Sequence, residues 1–376
     1  MKGIPSSLRV MNQRLLLERL LRDEVATRAE LADRTGMSRP TAGKILDELL
    51  RARVIENVAV EVTEDPATQT RLGRPGQPLR LQTNTPRFAL VRVGVNHTDV
   101  QWAPVAGTND ETPHERFATP KAADTWLQRL RVLVHGHAPK GLWGGVVSLP
   151  GVVDEDQGRC LFSPNLPWAK GIDWLAECRE IFGKPVCVVQ EIRALALGHM
   201  RDAPNERDFL LVDSGEGVGA AVVMQGRLFA GASAVVGELG HSPVVGHTRL
   251  CGCGARGCLE TLLGDGGLHA SWSAARVESK SVAQALSSPS PAPWLLDTLT
   301  ATAQAIAAAL NLFGLANVIL SGTLATLSPP ALSHLERGIR DGALPARFGA
   351  VQVQTAKRKR FRGLSAAAVN RLLAAE

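Results

Sequence analysis

Apolar positions recur at helical spacing through SLRVMNQRLLLERLLR (residues 7–22), where Leu8, Met11, Leu15, Leu16 and Leu20 fall near one face. The pattern predicts a first helix, with Ser6 or Ser7 as its N-cap. Thr27-Arg-Ala-Glu30 is a capping-box pattern, and the short helix it opens should stop at Thr35-Gly36-Met37. Ser38 then caps a third helix, with Pro40 in its first turn and Ile45, Leu46, Leu49 and Leu50 as its apolar face. VIENVAVEV alternates like a strand, LRLQ can return beside it, and the two make a wing with a long tip.

From Phe88 onward the pattern changes. FALVRVGV, GLWGGVVSL, PVCVVQ, DFLLVDSG, GAAVVMQGRLF and NVILSG read as strands, while DTWLQRLRVLVHG, IDWLAECREIFG and LDTLTATAQAIAAALNLFG read as helices. This interleaving defines an α/β domain. SSPSPAP at 287–293 reads as a loop, and KRKRFR at 357–362 as a solvent-facing strand end rather than a second nucleic-acid patch. No short-period internal repeat is visible.

Helix, glycine turn and helix at this spacing match a helix-turn-helix, whose second helix would offer Ser38, Arg39, Thr41 and Lys44 to the major groove of DNA. A three-helix protein-interaction module fits the same pattern. In the wing tip, Arg71 and Arg74 of RLGRPG suit a narrow minor groove, and a solvated linker is the competing reading. Charge favours a polyanionic partner for this end: 15 basic against 11 acidic side chains lie in residues 1–87, most of the excess behind the whole chain's +6. The 376 residues and 45% hydrophobic content suffice for two or three soluble globular domains. The charged start MKGIPSSLRVMNQR matches neither a signal peptide nor a membrane anchor. Cys160, Cys178 and Cys187 are scattered among apolar or helical residues like buried thiols, which places the chain in a reducing cytoplasm.

The stretch CGCGARGCLE differs from that background, since three thiols, Cys251, Cys253 and Cys258, share a glycine-rich loop just ahead of Glu260. Three clustered cysteines cannot all pair with one another, and tetrahedral zinc needs one more ligand. His241 and His247, both upstream, are the candidates.

SLPGVVDEDQGRCLFSPNLPW, VVQEIRALALGH, DSGEGVGAAVVMQGRLFAGASAVVGELGH and CGCGARGCLE, in this order, resemble the ROK family of repressors, uncharacterised proteins and sugar kinases. The resemblance covers residues 87–376 and implies a two-lobed actin-like, hexokinase-type fold with sugar in the cleft. Lobe one would hold about 87–190 plus a C-terminal helix 364–376, and lobe two 191–363. Residues 1–86 are similar to the winged helix-turn-helix that the family's repressors carry and its kinases lack. The family pattern makes His241 the fourth zinc ligand and leaves His247 outside it. It also assigns Glu238, His241 and Glu260 to sugar hydroxyls, with Gly151 and Asn165 lining the pocket; the competing reading of Glu260 is a helix-start carboxylate.

Against the kinases of that family the sequence departs at three places. Their catalytic Asp stands in Asn-Asp-x-Asn, where this chain has Gln190-Glu191-Ile192-Arg193. Their first phosphate loop, Asp-x-Gly-Gly-Thr, is here Gly94-Val95-Asn96-His97-Thr98, without the acid or the glycine pair. The second keeps Gly215, Gly217 and Gly219 but carries Glu216, a charge that repels phosphate. The expectation is a DNA-binding, sugar-responsive regulator, a repressor, acting as a homodimer or dimer of dimers on a pseudo-palindromic operator. It would use structural zinc, have no catalytic residues, and take Glu191 as a pocket residue rather than a base. The alternatives are a sugar kinase with an added DNA-binding domain, and a regulator that has lost sugar response and follows a partner protein or zinc supply.

Overall fold

A computed structural model describes residues 4–59, 76–231, 233–275 and 279–373. The first helix, α1 (Ile4–Asp23), opens ahead of both serines, with Pro5 in its first turn, where a missing N–H costs nothing. Strand β1 (Val25–Thr27) leads into α2 (Arg28–Thr35), and the capping box is present in full. Thr27 N–H donates to Glu30 Oε2 at 2.8 Å, and the Thr27 hydroxyl accepts from Glu30 N–H at 3.3 Å. Gly36 ends α2 at φ +70°. Ser38 caps α3 (Arg39–Arg51) by accepting from Thr41 N–H. Strands β2 (Ile55–Asn57) and β3 (Pro78–Leu81) complete a three-stranded sheet in the order β1-β3-β2. The sequence pattern gave no sign of β1, because three residues are too few to show alternation. Leu16, Leu17, Leu20, Leu31, Leu46, Ile55 and Leu79 close the core of this winged helix-turn-helix.

The larger part builds two sheets of related topology. Its elements are β4 (Phe88–Val93), β5 (His97–Ala103), β6 (Glu115–Ala118), α4 (Ala123–His137), β7 (Gly144–Leu149), β8 (Val152–Asp154), β9 (Arg159–Phe162), α5 (Trp174–Phe182), β10 (Val186–Gln190) and α6 (Glu191–Asp202). Then follow β11 (Phe209–Ser214), β12 (Val218–Met224), β13 (Arg227–Leu228), α7 (Glu260–Leu263), α8 (Asp265–Ala275), α9 (Val282–Leu286), α10 (Pro293–Phe313), β14 (Asn317–Gly322), α11 (Pro329–Gly342), β15 (Gln352–Thr355) and α12 (Arg360–Ala368). One sheet runs β10-β7-β4-β5-β6 and the other β13-β12-β11-β14-β15. In each, an antiparallel meander of three strands is continued by a strand parallel to the first, β4 with β7 and β11 with β14.

GAAVVMQGRLF is not one strand. Gln225 and Gly226 take φ of +55° and +72°, the two left-handed residues of a tight hairpin, and Met224 pairs with Arg227.

The chain divides into two compact units. The first holds residues 1–148, 173–189 and 360–376, so the winged helix belongs with the first large sheet and α12. Within it Gln13 Nε2 donates to the Leu373 carbonyl at 2.7 Å, and the Arg362 Nη2 donates to Glu24 at 2.9 Å. The Glu111 carboxylate accepts from the N–H groups of Phe361 and Arg362, capping α12. The second unit holds residues 149–172 and 190–359. Its core is α10 against α11, where a Cβ on Gly338 or Gly342 would meet the Cβ of Ala303 or Ala307 at 2.8 or 2.9 Å. That close approach explains a helix apolar enough, by length and composition, to cross a membrane: its buried half is core.

Candidate functional site

In the second unit, β12 leads through β13 and a loop to a single 3-10 turn, Leu239–His241, and the chain then enters the cysteine loop. His241, Cys251, Cys253 and Cys258 bring one ligand atom each to within 4.8 Å of one another. Cys251 Sγ lies 3.6 Å from His241 Nδ1, and Cys253 Sγ 3.6 Å from Cys258 Sγ. A disulfide is excluded by that separation, since its sulfurs sit about 2 Å apart. Tetrahedral thiolates on one zinc at about 2.3 Å would stand about 3.8 Å apart, close to what is found. The donor set therefore fits a metal. His247 takes no part: its Nε2 bonds the Thr261 hydroxyl at 2.8 Å, and burial lowers its pKa.

The other nitrogen of His241, Nε2, lies 3.7 Å from Glu238 Oε2. Glu238 also accepts from Gln190 Nε2 at 3.2 Å, and the same amide donates to the Gly151 carbonyl at 2.8 Å. Burial raises the Glu238 pKa, opposed by His241 and the Gln190 hydrogen bond and aided by the neighbouring charge of Glu260. Gly151 stands at φ +89°, and a Cβ there would overlap the Phe162 carbonyl oxygen. Two residues past Cys258, Glu260 opens α7, and its Oε2 accepts from Val218 N–H at 3.0 Å. Its carboxylate and Asn165 Nδ2 lie 3.0 and 3.9 Å from where a Gly217 side chain would begin, and Asn165 reaches the Glu216 carbonyl at 3.4 Å. Gly151, Asn165, Glu238, His241 and Glu260 are thus gathered in one unit, with Glu191 at the head of α6 directly after Gln190.

Sequence reasoning missed Glu155. Its Oε1 accepts from the Gln190 N–H at 2.9 Å and from Arg193 Nε at 3.0 Å, which fixes the start of α6. It stands inside the quoted run SLPGVVDEDQGR, but nothing in that run marks it apart from its acidic neighbours. KRKRFR is a second departure: Arg362 is buried at 6% exposure, and Arg358 makes a bidentate pair with Asp213 at 2.7 and 2.9 Å. Carboxylates of the chain, not solvent alone, receive part of that basic run.

In the glycine loops, Gly94 N–H donates to the His97 carbonyl at 3.0 Å, and Gly215 N–H to the Gly217 carbonyl at 2.9 Å. Ser38, which caps α3, and Arg39, Thr41 and Lys44 on it are exposed, whereas Ala42, Ile45, Leu46 and Leu49 of the same helix are buried. Arg71 and Arg74 lie outside the described residues.

Fold and site together define a winged helix-turn-helix protein with a sugar-kinase-like α/β domain. A model of the ROK family matches residues 91–370, and the chain belongs to that family. A winged helix-turn-helix DNA-binding model matches residues 12–56. The xylose repressor of Caldicellulosiruptor bescii is 26% identical over 271 residues, 69% of this chain and 65% of its own length. The DNA-binding transcriptional dual regulator NagC of Escherichia coli is 39% identical over 120 residues, 31% of this chain and 29% of its own. A crystal structure of a ROK family transcriptional regulator, a homolog of the E. coli MLC protein, superposes with a TM-score of 0.79 at 20% identity over 97% of both chains.

Proposed function

We propose that this chain is a sugar-responsive transcriptional repressor. It binds a pseudo-palindromic operator as a homodimer or dimer of dimers in the cytoplasm, and senses its sugar without phosphorylating it. The observation that carries the reading is the union, in one chain, of an exposed recognition-helix face at Ser38, Arg39, Thr41 and Lys44 with the Glu238–His241–Glu260 set tied to a cysteine cluster. Arg71 and Arg74 would add minor-groove contacts. The relatives named as repressors support the same assignment.

Gly151, Asn165, Glu191, Glu238, His241 and Glu260 would surround the sugar. Carboxylates accept hydrogen bonds from vicinal hydroxyls, so a neutral monosaccharide suits them, whereas a uronate or sugar phosphate would meet like charge. Zinc held by His241, Cys251, Cys253 and Cys258 would fix the imidazole and the loop bearing Glu260, a structural role. Against phosphoryl transfer stand the two glycine loops, whose N–H groups at Gly94 and Gly215 are spent on their own turns rather than on phosphate.

DNase footprinting of full-length, zinc-loaded protein on its own upstream region tests the assignment. Protection of two half-sites related by two-fold symmetry, about 10 bp or a multiple apart, is expected. Binding without any preferred sequence would contradict it.

A further inference from the structure

The carboxyl ends of adjacent parallel strands are where open α/β sheets take their ligands. In the second unit these are the ends of β11 and β14, paired at Ser214 and Gly322. Three glycines gather there, Gly215 and Gly217 after β11 and Gly322, at φ +67°, as the last residue of β14. Such bare backbone normally admits an anion close to its N–H groups. Here the space is filled from within. A Cβ on Gly215 would lie 2.5 Å from Arg358 Nη2, and one on Gly322 would lie closer still to the same atom.

Arg358 is held there by three hydrogen bonds. Its Nε donates to Asp213 Oδ1 at 2.7 Å, and its Nη2 donates to Asp213 Oδ2 at 2.9 Å and to the Ser214 carbonyl at 2.7 Å. Asp213 is in turn fixed by the Ser321 hydroxyl at 2.5 Å. The fork-to-fork geometry is the strong form of this pair. It commits the Nε proton and both Nη2 protons, and Asp213 neutralises the charge. What the guanidinium offers a phosphate at this point is therefore mostly occupied volume. The loop adds little attraction, because Gly215 N–H serves Gly217, Val218 N–H serves Glu260, and Glu216 brings a negative charge.

We propose that Arg358 is a built-in occupant of the nucleotide-phosphate subsite, anchored by Asp213, that keeps triphosphates out of the second unit. This rests on the reading of the chain as a sensor rather than a kinase, and it names the side chain that closes the site. Gly215 is small on this account because it receives a guanidinium, not a phosphate, whereas Gly322 is also required by its φ of +67° and by the Ser214 carbonyl that a Cβ there would overlap.

The test is calorimetric titration of ATP with Mg²⁺ into the full-length, zinc-loaded protein. The wild type should show no saturable binding up to the highest ATP concentration titrated, and Arg358→Ala should bind with a Kd at least about tenfold below that concentration. Removing the guanidinium takes from the half-buried Asp213 its bidentate partner, so Arg358→Ala/Asp213→Asn is the partner variant should the single one fail to fold. Saturable binding by the wild type that weakens in Arg358→Ala would mean that the arginine recruits the anion, and would overturn the proposal. Folded variants with no gain would overturn it as well. DNA binding and sugar-induced stabilisation, measured on the same samples, should be unchanged. Their absence from the wild type would sink the regulator reading while leaving the nucleotide result standing.

Discussion

His241 stands between two chemistries: its Nδ1 lies 3.6 Å from the Cys251 sulfur, and its Nε2 lies 3.7 Å from a Glu238 carboxylate oxygen. A metal on the sulfur side would fix the tautomer and orientation of the ring, and so place a donor beside the carboxylate proposed to meet sugar.

The first prediction follows from that arrangement. His241→Ala and Cys258→Ser should each lower zinc from one per chain toward zero, read by plasma mass spectrometry, and abolish the rise in melting temperature that sugar gives. His247→Ala should keep its zinc, because that ring is engaged with Thr261. Full zinc in His241→Ala with none in His247→Ala would reverse the ligand assignment.

Gln190 holds Glu238 and the Gly151 carbonyl with one amide. Gln190→Ala should weaken sugar binding by about 1–2 kcal/mol, measured by calorimetry, with zinc content and DNA affinity retained. Gly151→Ala should do worse and also destabilise the fold, since its Cβ would overlap the Phe162 carbonyl at a left-handed φ.

For the DNA interface, Arg39→Ala should cost about 1–3 kcal/mol at the operator if the guanidinium reads a base edge. Lys44→Ala should weaken binding evenly across sequences and reduce the log–log salt slope by about 1. Fluorescence anisotropy at several salt concentrations separates the two, and equal loss on all sequences for Arg39→Ala would mark it as a phosphate contact.

With ATP, Mg²⁺ and the best-binding sugar, the protein should form no sugar phosphate above background, and Glu191→Asp should not restore turnover while the glycine loops stay closed. Turnover by the wild type that is lost in Glu191→Gln would make the chain a kinase.

Much of this was legible in the sequence where local rules decide. The capping box at Thr27, the glycine stop at Gly36 and the Ser38 cap mark the helix-turn-helix because each is a contact within a few residues. The cysteine loop was legible for the same reason. What was not legible depends on distant pairing. β1 exists only because Val25–Thr27 finds β3 more than fifty residues on. The related strand order of the two large sheets left no repeat in the sequence, since topology constrains burial rather than residue identity. Arg358 read as solvent-facing because its partner, Asp213, lies 145 residues away.

The central claim is that one chain couples a sugar to an operator. Its most direct test is anisotropy of the labelled operator with full-length, zinc-loaded protein, titrated with a panel of neutral monosaccharides. One sugar should shift the operator Kd by about tenfold or more, a coupling of about 1.4 kcal/mol, and the shift should vanish in Cys258→Ser while that variant still binds DNA. An operator Kd that no sugar moves, in protein shown to hold its zinc, would contradict the account.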